Sequence, residues 1–391
     1  MKKRNSSLIL VAAMLFVAGA AAPGWSHQLP EGAEKLAKSE DCADCHAGIY
    51  AEWKASMHAN STPFKDSAHN AVRLKNSEAM VQMGKAPAYH CANCHTPMAN
   101  NIADLIAGKA APDATNWTHD EGIGCAFCHR IEGIVPGKAF DQYALNKDGA
   151  MNAAAVSGKS PHKTAKSTLF ENGEVCMGCH SHMLNGKGAA ICVMNDEGAS
   201  NCLTCHMNEV EGAPAADSAK KTHFSHALPG GHDSEFLKRA VTLDLQVDAA
   251  VDAKKVTVTL KNISGHTFPS TQPMRLAFVK LTAEDASGKV LWTNFKENPT
   301  EDMQAVLLKM FKAGEEKGVP PWKAEGVATD TRLKKDEVRK LVYSVPAENV
   351  KSISAALVYR LFAPAVMKMM DMPFDGKNDT VSVVAKKKVE I

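Results

Sequence analysis

Five times the chain reads Cys-x-x-Cys-His: Cys42/Cys45/His46, Cys91/Cys94/His95, Cys125/Cys128/His129, Cys176/Cys179/His180 and Cys202/Cys205/His206. These residue types at this spacing suit covalent attachment of a haem. Two thiols add to the two vinyl groups on one porphyrin edge, and two intervening residues let both sulfurs reach it. The adjacent histidine then falls under the iron as its proximal ligand. Rival chemistries use the same cysteine pair: zinc draws on paired thiolates, a dithiol redox site on one pair, and an exported chain forms disulfides. None of them requires histidine at the next position five times out of five. The pattern predicts five haem c groups and their iron. Ten of the 11 cysteines are used this way. Cys192 is left over, either as a small buried apolar residue or as a reactive thiol or intermolecular link.

From Cys42 to His206 is 165 residues, or 33 per haem. So little polypeptide cannot build a conventional core, so the macrocycles themselves must be the core, wrapped in short helices and loops. Redox centres packed that densely pass electrons in series.

A sixth ligand for each iron must come from the 11 remaining histidines. His58 ends an amphipathic stretch with Ile49, Tyr50, Trp53 and Met57 at helical spacing. It lies one helix beyond the first motif, within reach of a neighbouring iron. His90 precedes Cys91, His119 sits six residues before Cys125, and His162 follows Pro161. His226 and His232 flank the turn at Pro229, Gly230 and Gly231. We expect His58, His90, His119 and His162 as distal ligands, joined by one or both of His226 and His232. His182 is too near a proximal histidine to rank with them, and His27 falls at the start of the mature chain.

The 391 residues fit two or three domains, and 45% hydrophobic with 23% charged residues describes a globular chain. Lys2, Lys3 and Arg4 precede an apolar run from Leu8 to Ala22. This is the form of a secretory signal, and it is short for a membrane span. A cut after Ser26 places Gly24 and Ser26 where signal peptidase reads. Domain 1–26 is thus a signal peptide, and the mature chain is exported, periplasmic or at the cell surface, with no transmembrane segment. The whole chain has 45 basic and 43 acidic residues; the signal removes three basic ones, leaving 42 against 43, a net of −1. No basic excess remains to hold nucleic acid. Redox partner proteins presenting a basic patch are the expected partners, and oligomerisation is left open.

After residue 238 cysteine disappears and β-branched residues rise, which divides the mature chain into 27–238 and 239–391. Asp233 or Ser234 caps a short helix through Arg239. Val256, Val258 and Leu260 alternate with Thr257 and Thr259 as a half-buried strand. Leu276 to Thr282 and Val290 to Trp292 form a hairpin, and Leu341 to Val345, Ile353 to Leu361 and Val381 to Val384 are further strands. Met303, Val306, Leu307, Met310 and Phe311 mark an inserted helix. About seven strands in roughly 150 residues predict an all-β immunoglobulin-like sandwich, giving an α+β two-domain chain. Met367, Met369, Met370 and Met372 read as packing rather than axial ligands. The β-domain shows no catalytic constellation and is expected to cover haems, dock a partner or support assembly.

Cys42 to Phe64, CADCHAGIYAEWKASMHANSTPF, resembles the haem-and-histidine module of multihaem cytochromes whose type member is the tetrahaem cytochrome that accepts electrons from hydroxylamine oxidoreductase. His119 to His129, HDEGIGCAFCH, is similar to a second block of that module. Asn201 to Met207 with His226 to His232 resembles the end of a haem domain in related bacterial cytochromes, some of which carry a β-domain with a signature similar to Asn262 to Arg275. The resemblance implies haem-to-haem electron transfer, His58 as a distal ligand, and an approach of His266 to a haem. The chain departs in carrying five motifs rather than four.

The leading function is therefore an electron carrier, with each iron held by two histidines. One alternative is a reductase of a small nitrogen or sulfur oxyanion, which needs an iron with an open position. All five motifs end in histidine, whereas ammonia-forming nitrite reductases typically place lysine below the active haem. Arg130 would assist an anion or hold a propionate. A further alternative is a subunit of an extracellular cytochrome filament.

Overall fold

The computed structural model describes residues 36–135, 142–156, 160–181, 183–194, 201–249 and 253–391. The expected signal segment, His27, His182 and the side chain of Cys192 lie outside the described residues.

The first half is built from short pieces: α1 (Ala43–Ala55), α2 (Ser67–Gln82), α3 (Ala92–His95), α4 (Ile102–Ala107), α5 (Trp117–Asp120), α6 (Cys125–Cys128), α7 (Leu169–Asn172), α8 (Met177–His180) and α9 (Leu203–His206). Four small strand pairs fill the gaps: β1 (Ile131–Ile134) with β2 (Tyr143–Leu145), β3 (Met151–Ala153) with β4 (Thr164–Lys166), β5 (Met183–Leu184) with β6 (Ala190–Cys192), and β7 (Glu209–Glu211) with β8 (Thr222–Phe224). The attachment motifs explain the shortness of the helices. One helical turn places positions i, i+3 and i+4 on one face, which are the two cysteines and the histidine. The turn closes where His95 N–H donates to Cys91 O at 3.0 Å, and His129 and His206 do the same to Cys125 and Cys202 at 2.9 Å. In the first motif α1 is kinked at His46 itself, with φ −113° and ψ 41°.

Among the described residues, two small apolar groups lie wholly within this half, and Ala189 and Ile191 pack across to Phe311, Val319 and Ala324 of the second. One joins Leu36, Met98, Phe127, Ile131, Tyr143, Leu145 and Val175. The other joins Tyr89, Ala92, Ile102, Leu105 and Ile106. Helix α2, capped where Asp66 accepts from His69 N–H at 2.9 Å, bridges the two halves. Its Ala68, Ala71 and Val72 pack against the second half, while His69, Asn76, Met80 and Met83 fall on another stripe.

The short helix α10 (Ser234–Leu237) follows, with Asp233 as its cap, accepting from Glu235 and Phe236 N–H; such a cap is worth about 1 kcal/mol. The second half then runs β9 (Val241–Ala249), β10 (Ala253–Asn262), β11 (Leu276–Glu284), β12 (Val290–Thr293), β13 (Val306–Leu307), β14 (Lys309–Ala313), β15 (Glu316–Lys317), β16 (Gly326–Asp330), β17 (Val338–Pro346), β18 (Ser352–Arg360) and β19 (Val381–Glu390), with α11 (Pro364–Met369) before the last strand. One antiparallel sheet has the order β17-β10-β9, and a second β12-β11-β18-β19 with β13 paired to β11. Alternation sends Val256, Val258 and Leu260 of β10, Leu281 of β11, and Ile353, Ala355 and Leu357 of β18 into one core. Leu237 of α10 and Met367, Met370 and Met372 join that core as expected, whereas Met369 is exposed. The helix-rich first half and sheet-built second half match the expected two-part α+β organisation.

One expectation is overturned. The apolar residues from Met303 to Phe311 form no helix beyond a single 3-10 turn at Met303–Ala305; they continue as β13 and β14. Pairing decides the matter. Val306 and Leu307 lie opposite Phe278 and Ala277, and β14 joins a three-stranded sheet with β15 and β16. Cross-strand partners override a spacing that also fits a helix.

Candidate functional site

All fifteen motif residues line one connected cavity of about 3190 Å³. A pocket for one small ligand holds about 300–1,000 Å³, so this space is built for several large groups. His58, His90, His162, His226 and His232 also line it, as do His69, His223 and His266, of which only His266 carried an expectation. Its wall includes residues of both halves, the second contributing His266, Phe268, Arg275, Trp322 and Tyr359 among others. The halves approach closely at Gly231, where an added Cβ would stand 2.4 Å from Tyr359 Oη.

The proximal histidines are set for metal binding. His46 Nδ1–H donates to Pro214 O at 2.6 Å, His95 to Ser61 O at 3.1 Å, His129 to Asn152 O at 2.7 Å and His206 to Pro229 O at 2.6 Å. A carbonyl can only accept, so Nδ1 holds the proton and Nε2 keeps its lone pair for a metal. The same tautomer is fixed at His226 through Phe224 O at 2.8 Å and at His266 through Thr267 O at 3.0 Å. Burial lowers the pKa of His95, His129, His180 and His206. Burial, then the neighbouring His180, pushes His58 down to about 3. Burial also brings His226 and His232 to about 4. These imidazoles are therefore neutral, the form that coordinates metal.

Three proximal rings face a distal candidate across a common gap. Ring centres lie 6.4 Å apart for His46 and His162, 6.5 Å for His180 and His58, and 6.2 Å for His129 and His226. Two imidazoles bound to opposite sides of one metal, at about 2 Å per bond, have centres roughly 6 Å apart. The position of His58 is set by a close backbone approach. Ile123 N–H donates to His58 O at 3.0 Å, and a Cβ on Gly122, at φ +78°, would stand 2.4 Å from that oxygen. The other two motifs differ. His69 stacks on His95 with centres 3.9 Å apart, too close for an iron between them, and its Nε2 is hydrogen-bonded to Tyr89 Oη at 2.7 Å. His206 has the Phe236 ring beside it at 5.0 Å.

His119 departs from expectation: the fold does not bring it to the cavity. Its Nδ1 accepts from Asp113 N–H at 3.0 Å, so Nε2 carries the proton and donates to Asn101 Oδ1 at 2.7 Å. That is the opposite tautomer, with no lone pair left for iron. Arg130 lies on the cavity wall, but its guanidinium is engaged by Asn146 through Nε at 2.8 Å and through Nη2.

The motifs are close neighbours. The thiols of Cys42 and Cys125, Cys94 and Cys179, and Cys176 and Cys202 lie side by side and perturb one another. The first motif thus adjoins the third, the second the fourth, and the fourth the fifth. The ten motif cysteines are free of disulfides, and among the described residues no group of three or more His, Cys, Asp or Glu gathers as a metal site. The thiols and lone-pair imidazoles on one cavity wall fit the haem reading.

Comparison with known proteins agrees with this chemistry. The model of the family "Cytochrome c554 and c-prime" matches residues 41–130. The solved structure of a penta-heme cytochrome c552 from Thermochromatium tepidum is similar over 91% of this chain and 99% of its own, with a TM-score of 0.73 and 26% identity. No curated protein matches the chain. The two likenesses support a multihaem c-type cytochrome that transfers electrons. Among the described residues no helix is long and apolar enough to cross a membrane.

Proposed function

We propose that the chain binds five haem c groups, one per motif, and passes electrons among them in the periplasm or at the cell surface. The observation that carries this reading is the set of three opposed imidazole pairs on the wall that all five motifs share. When bound, the haems supply one-electron iron couples. The chain's own residues would anchor each macrocycle by two thiols, aim Nε2 of His46, His95, His129 and His206 through a backbone carbonyl, and by burial keep His58, His95, His129, His180, His206 and His226 neutral. His162, His58 and His226 would serve as distal ligands opposite His46, His180 and His129. His90, His232 and His266 line the same cavity and are the candidates for the second and fifth motifs. Two nitrogens on an iron would leave no place for substrate, so the three opposed pairs favour a carrier.

The likeness to a penta-heme cytochrome adds support for the number five. The signal-like segment 1–26 supports export, and the slight acidity of the mature chain favours basic redox partners. Residues 27–238 form the haem-bearing domain and 239–391 its β cover. The first, second and fifth of the seven main strands share one sheet, and the third, fourth, sixth and seventh the other. That distribution supports the immunoglobulin-like class.

The reductase reading retains one foothold: His95 is stacked by His69 rather than faced across an iron-sized gap. Electron paramagnetic resonance of the oxidised protein separates the two. Five low-spin signals are expected, and a high-spin signal integrating to one haem would favour the enzyme. Intact mass should show five added macrocycles; fewer would overturn the proposal.

A further inference from the structure

We propose that the β-domain holds haem propionates through Arg275 and Trp322, and so tunes the haems it covers. The inference rests on the reading that haems fill the shared cavity, and it adds a carboxylate-binding role for the domain without motifs.

Both residues line that cavity, and each lacks something only an acceptor supplies. The Arg275 guanidinium lies 4.5 Å over the Phe362 ring, and its Nη1 donates to Leu361 O at 2.7 Å. The ring and the carbonyl fix the plane of the group. Among the described residues no carboxylate pairs with this half-buried cation. The indole of Trp322 presents the same need in neutral form. Its Nε1 is buried and has no acceptor among the described residues, although indole nitrogen can only donate. Buried donors are satisfied as a rule, and one that is not loses its hydration without return.

The placement of Trp322 is not incidental. It sits on a turn closed by Lys323 N–H to Pro320 O at 3.0 Å. Asn185 Nδ2 clamps that turn from the first half, donating to Pro321 O at 2.8 Å and Ala324 O at 2.7 Å. Asn185 belongs to the hairpin that directly follows the fourth motif. The donors therefore stand at the seam between the domains, on the wall where macrocycle edges would lie. A water would satisfy the indole but would not balance the guanidinium. The shared requirement is a carboxylate at the edge of a large apolar ligand, which describes a haem propionate.

The test uses the intact, haem-loaded protein. Haem content is measured by mass, and the midpoint potentials by spectroelectrochemical titration, for wild type, Arg275→Gln, Arg275→Lys and Trp322→Phe. A cation or donor at a propionate favours the reduced, more negative haem. Arg275→Gln is expected to lower one midpoint potential, Trp322→Phe to lower one by less, and Arg275→Lys to stay near wild type. Five bound haems with all potentials unchanged in both Arg275→Gln and Trp322→Phe would overturn the inference, leaving water as the indole's acceptor. Should Arg275→Gln fail to fold, Trp322→Phe decides alone by the same criterion. Fewer than five haems in the wild type would instead defeat the parent reading.

Discussion

The two halves of this chain solve the problem of a core in different ways. In the sheet half, β-strands from both sheets bury alternate residues against one another, and Val256, Val258, Leu281, Ile353 and Leu357 are wholly inaccessible. That core is continuous. In the motif half, two small apolar groups stand beside a cavity lined by thiols and imidazoles. The first core is made of side chains and the second must be made of cofactor. The stability of one half is written in its residues, while that of the other depends on what those residues bind.

The largest test of this contrast is to withhold the cofactor. A chain whose motif cysteines are all replaced by serine should lose the structure of residues 36–233, seen as rapid proteolysis, while a fragment near 240–391 survives. A protease-resistant first half without haem would break the comparison. The converse substitution is Leu357→Ala. It removes a side chain that is fully buried in the sheet core and should cost about 2–5 kcal/mol in denaturant unfolding. The haem absorption bands should be unaltered before the transition; a changed spectrum would tie the two cores together.

Acid gives the smallest and most selective effect. Burial above all lowers His58 to about 3 and His226 and His232 to about 4 in the folded chain, and a bond to iron would lower them further; an unfolded histidine titrates near about 6.5. The folded values are depressed, so the unfolded chain takes up protons first. Stability is then complete above about 6.5 and falls as the pH drops towards 4, by under about 1 kcal/mol per histidine between pH 7 and 6. Fifteen of the 16 histidines precede residue 240. Between pH 7 and 6, unfolding monitored by haem absorption should therefore shift, and unfolding of the sheet half, whose depressed groups are carboxylates such as Asp330, should not.

How much of this was legible in the chain follows from what fixes each feature. The attachment motifs were complete in the sequence because covalent chemistry sets a local spacing. The strands of the sheet half were legible from alternation, as at Val256, Val258 and Leu260. The stretch from Met303 to Phe311 was not, because its apolar spacing suits a helix and only its neighbours make it a strand. Distal ligands depend on tertiary placement. His58, His162 and His226 reach positions opposite proximal rings. His119 is near Cys125 in sequence, yet Asp113 and Asn101 fix its ring in the wrong tautomer. His69 and His223 gave no signal before the fold brought them to the wall.

The carbonyl that orients His46 belongs to Pro214, beyond the fifth motif. A chain emerging amino-terminus first offers its first attachment turn long before that anchor exists. The first of the five proximal rings to emerge is thus oriented only once residues beyond the fifth motif are in place, and His206 follows it with Pro229.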